Sequence, residues 1–384
     1  KGSYGEVGND QIGGGRRFIY NATVDNWGSY DFGESPHSES GVRVGDWASP
    51  NVGWERAHKM NVGIEMSLFH ALKVQVDYFH EKREGIFLER NSLPLYVGVT
   101  NKHWVNVGKM KNEGIDASLE YNQKVGEVQL SGKANFTYAH NTIIDNDEPD
   151  WKYTYKNTKG QMLWQQYGLV ADGLFKSQED IDSWPTQTFG PVRPGDIKYI
   201  DINGDGVIDV NDEKPLGYST VPEIVYGAGL SASWKGIDVS VFFQGAGHVT
   251  LMTSGSAIQA LSARNMMESG MYEDIYHNHW SEANPDPQAR YPRLSIGSNN
   301  NNFRRSTYWQ RDMSYIRLKN IEIGYNFPTR LLKPIHLSGV RLYFSGVNLL
   351  TFSKFDLWDP EQRNSQGASY PTNRVFNFGL NINL

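Results

Sequence analysis

One pattern limits what this chain can fold into more than any other. Apolar and polar residues alternate along segment after segment, and the connections between segments are short and long by turns. The closing run RVFNFGLNINL sets Phe376, Phe378, Leu380, Ile382 and Leu384 against Asn377, Gly379, Asn381 and Asn383, because successive side chains of a strand point to opposite faces. In VQLSGKANFTYAH, Val128, Leu130, Ala134, Phe136 and Tyr138 oppose Gln129, Ser131, Lys133, Asn135 and Thr137. LKVQVDYFHEK (Leu72, Val74, Val76, Tyr78) and IDVSVFFQG (Ile237, Val239, Val241, Phe243) repeat the theme. YIRLKNIEIGYNF changes phase near Lys319, which predicts a β-bulge.

The pattern predicts strands at 54–68, 71–88, 108–124, 127–144, 221–235, 237–250, 312–327, 338–353 and 374–384. The connections at 69–70, 125–126 and Gly236 are tight, and 328–337 is modest; those at 89–107, 145–220, 251–311 and 354–373 are long. Alternation by itself also suits a soluble sandwich, but segregated loop lengths are the mark of an outer-membrane barrel, with tight turns at one end and long loops at the other. Tyr78, Tyr138, Trp234, Tyr325 and Phe327 fall near strand ends, where interfacial aromatics gather. The last strand of such barrels ends in the periplasm, so the short turns are expected there and the long loops outside. QQYGLVADGLF, 165–175, looks like a strand, but a spanning strand there would break the parity; it is assigned to the outer loop 145–220.

Composition agrees. With 37 basic against 43 acidic residues, nothing points to nucleic acid as a partner. The absence of cysteine removes disulfides and thiolate metal sites. No apolar run approaches the roughly 18–20 residues of a membrane helix, which leaves a barrel open because its strands hide half their residues from hydropathy. The chain opens KGSYGEVGND without Met and is expected to be a fragment.

Several stretches carry a family resemblance. PGDIKYIDINGDGVIDVNDEKPLG and PEIVYGAGLSASWKGIDVSVFFQG resemble the SusC-like TonB-dependent outer-membrane transporters. So do HWSEANPDPQARYPRLS, SYIRLKNIEIGYNFP, RLYFSGVNLLTFSKFDLWDPE, YPTNRVFNFGLNINL, YGEVGND and VGWERAHKMNVGIEMSLF. The resemblance runs in order through nearly the whole of 1–384 and implies an all-β fold, the C-terminal portion of a 22-stranded antiparallel transmembrane barrel with long extracellular loops. Nine whole strands and the tail of a tenth at 1–8 are present; the plug and earlier strands are not. The terminal Leu384 stands where the family usually ends in Phe. The resemblance further implies active import driven through TonB, by way of the missing plug, with a SusD-like surface lipoprotein as lid. Oligosaccharide is the expected cargo and peptide the alternative.

Within the outer loop, DINGDGVIDVND (201–212) has the order of a calcium loop. Side-chain oxygens at positions 1, 3 and 5, a carbonyl at 7 and a carboxylate at 12 surround the ion, with glycine at 6 for the turn. These are Asp201, Asn203, Asp205, Val207, Asp212 and Gly206, while Asp209 at position 9 binds directly or through water. Asp212 is a shorter arm than the Glu usual at position 12. Calcium is expected over magnesium, which keeps several waters, and the ion would pin a loop of 76 residues whose closure entropy is large. A solvated run of Asx turns is the competing reading.

Catalytic constellations are poor, and no enzyme activity is expected. His277 and His279 lack third and fourth ligands for a metal. Trp151, Tyr153, Tyr155, Trp164, Trp280, Trp309 and Trp358 are candidates to stack on ligand or to meet a partner, or else to stiffen the loops. A soluble carbohydrate-binding protein or glycoside hydrolase, and a passive porin or adhesin, remain as rival classes.

Overall fold

The structure, a computed structural model, describes residues 1–10, 17–33, 37–93, 96, 103–262 and 271–383; Leu384 lies outside them. Ten strands form one sheet in chain order. They are β1 (Gly2–Asn9), β2 (Glu55–Leu68), β3 (Leu72–Glu89), β4 (Trp104–Val125), β5 (Val128–Asp145), β6 (Ile224–Trp234), β7 (Ile237–Gly247), β8 (Tyr315–Asn326), β9 (Gly339–Ser353) and β10 (Val375–Asn383). The predicted strands are therefore all present, with shifts at their ends. β4 starts at Trp104, ahead of the predicted 108. Asp312, predicted to open β8, instead belongs to Gln310–Asp312, which pairs with Thr250–Met252. The segment 165–175 stays out of this sheet: Gln166–Gly168 pairs with Lys214–Leu216, and Ala171–Leu174 with Ile197–Tyr199.

The chain divides into two compact units. In the first (Lys1–Gly63, Asp77–Gly114, His140–Leu163), β1 pairs antiparallel with β2, and a hairpin with no forecast joins Val24–Phe32 to His37–Val44. Asp147 there accepts hydrogen bonds from the Ser92 hydroxyl at 2.9 Å and from the Asn91 N–H at 3.1 Å. Burial alone would push its carboxyl up, but the Ser92 and Arg90 donors outweigh that and hold it below the usual carboxylate range.

The second unit (Ile64–Val76, Ile115–Ala139, Trp164–Leu384) holds the register that explains the alternation. Reading across β5 to β10, Leu130, Ala232, Val239, Ile323, Phe344 and Phe378 stand side by side. One residue along, the row is Ser131, Ser231, Ser240, Glu322, Ser345 and Asn377. Apolar and polar rows thus face opposite ways, since neighbours along a strand point to opposite faces.

The apolar face continues through further rows. Trp234, Ile237, Tyr325, Leu342 and Leu380 lie toward the short turns. Leu230, Val241 and Ile321 come next beyond the Leu130 row, then Ala228, Phe243, Leu318 and Leu350. Phe136, Tyr226, Ile316 and Phe352 finish the band toward the long loops. Two residues of a strand advance about 6.7 Å, and a tilt near 45° leaves about 5 Å of height per row. Five rows span about 20–25 Å, the height of a lipid-facing band between aromatic girdles. The band is open: Leu230 is 67% exposed and Phe378 82%, so it is no sandwich core.

The bulge falls where the phase change placed it. β8 shifts register against both neighbours at Lys319, so Leu318 and Asn320 are the paired residues on either side. That extra residue keeps Ile316 and Leu318 on the same face as Ile321 and Ile323, which an unbroken strand would have turned inward. On the polar face, Arg341 binds Glu322 at 2.6 Å and also Asp238.

Candidate functional site: the outer loops

Two long loops of the second unit fold around a common core. Leu169, Leu174, Ile197, Tyr199 and Ile208 come from the first, and Ile258, Ile275, Trp280, Tyr291 and Trp309 from the second; all are buried together. The short strands that hold them are two to four residues long, too brief to stand without this packing. Burial pushes the phenols of Tyr199, Tyr291 and Tyr308 up, so they stay protonated. Tyr199 donates to the Asn301 carbonyl and Tyr308 to that of Ala289, each at 2.7 Å.

A polar clasp runs through this core. Asp196 is fully buried and accepts hydrogen bonds from Asn302 at 2.8 Å, Asn299 at 3.1 Å and Arg293 at 3.0 Å. Asn301 donates to the Ile197 carbonyl at 2.9 Å, and Asn302 accepts from the Ile197 N–H at 2.9 Å. Gln187 donates to Asn301 at 2.6 Å and accepts from the Tyr199 N–H, also at 2.6 Å. The SNNNNF stretch looks like a surface turn in sequence, yet Asn301 and Asn302 are buried because strand-edge backbone at 197–199 needs their amides.

DINGDGVIDVND lies beside the clasp and is tightly folded. Gly204 and Gly206 take φ of +74° and +85°, the conformation that glycine adopts without strain. Asp201 accepts from the N–H groups of Gly204 (2.7 Å) and Gly206 (2.8 Å), Asn203 from Asp205 (2.9 Å), and Asp205 from Val207 (3.0 Å). Asp212 is fully buried and closes the loop by accepting from Ile202 at 2.8 Å and Asp209 at 2.9 Å. Asp209 caps the following turn through the Asn211 N–H. Val207 and Ile208 pair in parallel with Thr186 and Gln187. The backbone course and the glycine at position 6 fit a calcium loop. Among the described residues, however, no three His, Cys, Asp or Glu side chains are gathered as a metal-holding group.

The aromatic candidates divide. Trp151 is 46% exposed and Trp164 63%, and Tyr153 stacks on Tyr155 with ring centres 5.6 Å apart. Trp280 and Trp309 are buried in the loop core, where both rings are taken up by packing, as in the loop-stiffening alternative. Trp358 is half-buried against the same core and meets Phe355 edge-on at 4.9 Å. His277 lies 3.7 Å from Glu273 and meets the Tyr276 ring edge-on, and His279 is bonded to backbone carbonyls.

The third long loop is tied down by Arg317, a residue without a forecast role. Its guanidinium, 1% exposed, binds Glu361 at 2.9 Å, Asp359, and the Thr351 hydroxyl at 2.9 Å. Tyr315 donates to Glu361 at 2.7 Å.

A wall of this kind, with outward apolar rows and ordered outer loops, matches known proteins. A TonB-dependent receptor of Formosa agariphila, P3, is 29% identical over 380 residues, covering 89% of this chain and 35% of its own length. The TonB-dependent receptor SusC of Bacteroides thetaiotaomicron is 23% identical over 401 residues, covering 99% of this chain and 37% of its own. The solved structure of the RagAB peptide importer in its open-open state superposes with a TM-score of 0.71 at 21% identity, over the whole of this chain and 40% of that one.

The chain is SusC-like. It is part of an outer-membrane β-barrel and is similar to the TonB-dependent receptors. No protein-family model matches it. It spans about a third of the length of the curated SusC-like relatives it matches.

Proposed function

We propose that this SusC-like chain forms wall and outer loops of a TonB-energised importer of oligosaccharides, working beneath a SusD-like surface lipoprotein. The observation that carries the reading is the two-faced register from β5 to β10: an exposed apolar band on one side and, on the other, a polar row of Ser, Glu and Asn. That arrangement surrounds a wet passage within lipid. The exposed Trp151, the Tyr153–Tyr155 pair and Trp164 offer flat apolar faces to sugar rings, and the packed loops offer a lid protein a fixed surface. A stable lid complex buries over about 1,000 Å² in total. Peptide is the second reading of the cargo, favoured by the fold match to a peptide importer. Uptake moves the cargo without cleaving it.

Cells carrying the full-length protein are expected to accumulate labelled oligosaccharide intact, and to lose this when the gene or TonB is deleted. Accumulation of labelled peptide in its place would transfer the cargo to the second reading. Uptake indifferent to TonB would remove the energised mechanism altogether, and purification from the native membrane without any lipoprotein would remove the lid.

We propose in addition that DINGDGVIDVND takes up calcium through Asp201, Asn203, Asp205, the Val207 carbonyl and Asp212, with Asp209 direct or through water. The ion would draw together side chains whose outer lone pairs remain free beyond their backbone bonds, and would stiffen the loop. Calorimetric titration of the full-length protein is expected to show one calcium site that Asp205→Ala removes, with faster proteolysis of 196–215 and normal barrel insertion. Equal calcium binding by parent and variant would reduce the segment to a turn.

A further inference from the structure

Two of the stretches that carry the SusC resemblance, PGD at 194–196 and HWSEANPDPQARYPRL at 279–294, meet in the second unit. The Arg293 N–H donates to the Gly195 carbonyl at 2.8 Å, and the Trp280 N–H to that of Tyr291 at 3.0 Å. Gly195 has φ +84°, and a Cβ there would lie 2.2 Å from the Trp280 ring, so the indole rests directly on the glycine backbone. The contact frames an open cleft of about 740 Å³, within the size range of small-molecule sites.

The cleft's chemistry is one-sided. Arg193 and Lys176 line it, both exposed, and neither is in an ion pair among the described residues. Arg293 forms a third cationic wall, held in place by buried Asp196 at 3.0 Å. The indole N–H of Trp280, a residue 6% exposed, is buried in the wall with no hydrogen-bond partner. The one acidic side chain in the lining, Glu282, is exposed. His279 gives its Nδ1 to the carbonyls of Ile275 (3.0 Å) and Tyr276 (2.8 Å), which sets that nitrogen as the proton donor. His279 Nε2 is thereby left an acceptor, but the cationic donors Arg193, Lys176 and Arg293 dominate the lining. That complements a carboxylate, which only accepts, more than a neutral hydroxyl, which both donates and accepts.

We propose that this cleft binds the carboxylate of an acidic sugar residue, a uronic acid carried in the oligosaccharide. The proposal rests on the glycan reading above and names the charge of the cargo. Arg193 offers a paired N–H fork to the two carboxylate oxygens, Lys176 adds a point charge, and Arg293 presents a fixed cation from behind.

The test uses the full-length protein in detergent, titrated calorimetrically with galacturonic acid trimer, its methyl-esterified form, and a tripeptide with a free C-terminus. The free acid is expected to bind and the ester to bind about tenfold more weakly or worse, the range set by a hydrogen bond to a charged group. Arg193→Gln should bring the free acid down to the ester's affinity, and Arg193→Lys should restore part of the loss. Equal affinity for acid and ester, or an unchanged Arg193→Gln, overturns the cleft and leaves the glycan reading standing. Binding of the tripeptide with no binding of either trimer overturns both.

Discussion

Asp196→Ala is expected to release the outer loops while the barrel wall stays in place. Asp196 has no exposed surface and receives Asn299, Asn302, Arg293 and the Arg193 backbone N–H. Removing it strands two buried amides without an acceptor and leaves the Arg293 guanidinium, which also faces the cleft, without its counter-charge. Breaking a buried charge pair from one side costs about 3–5 kcal/mol, while the wall's backbone ladders are untouched. Limited proteolysis should therefore cut within 164–223 and 248–314 far sooner in the variant, with heat-modifiable barrel mobility on gels unchanged. Asp196→Asn retains size and one acceptor oxygen and should fall between the two, near the roughly 1.5–3 kcal/mol of a hydrogen bond to a charged group. Parent-like protease resistance in Asp196→Ala would show that the apolar cluster alone holds the loops.

This dependence explains why the wall was legible in sequence and the loops were not. A wall strand repeats its demand every second residue, so FNFGLNIN declares both its faces by itself. Lys319 was legible as a bulge because two apolar phases cannot coexist on an unbroken strand. The loops satisfy their backbone at long range instead: Asn302 finds Asp196 across 106 positions and Asn301 finds Ile197 across 104. No local period records such a partner. The same limit governs the tryptophans, because Trp151 and Trp309 look alike in a loop sequence. Their exposures, 46% and 2%, are set by residues far along the chain. DINGDGVIDVND was visible because the partners of its Asx and closing turns lie within twelve positions, and those turns formed as the Asx and glycine pattern requires.

Leu230→Arg should block stable insertion of the barrel, whereas a cationic residue at the next position, Ser231→Lys, should be tolerated. Leu230 is 67% exposed and lies in the third of the five apolar rows, between Gly132 and Val241. Two rows of about 5 Å separate it from the Trp234–Tyr325 girdle and two from the Tyr226–Phe352 girdle, which puts it near mid-bilayer. Arg at that depth costs about 2–4 kcal/mol, and the penalty falls toward the interfaces. Ser231 pairs with Ser131 and Ser240 on the polar face, where water and the Glu322 carboxylate in the same row can accommodate a cation. Folding of the full-length protein into vesicles, followed by urea titration, separates the two cases. If Leu230→Arg unfolded at the parent's urea midpoint while Ser231→Lys lost stability, the faces would be reversed, and the row of Ser, Glu and Asn would have to meet lipid. A polar row in hydrocarbon would leave its hydroxyls, amide and carboxylate without the water they need. The expected asymmetry follows from one fact of strand geometry, that neighbours along a strand face opposite ways.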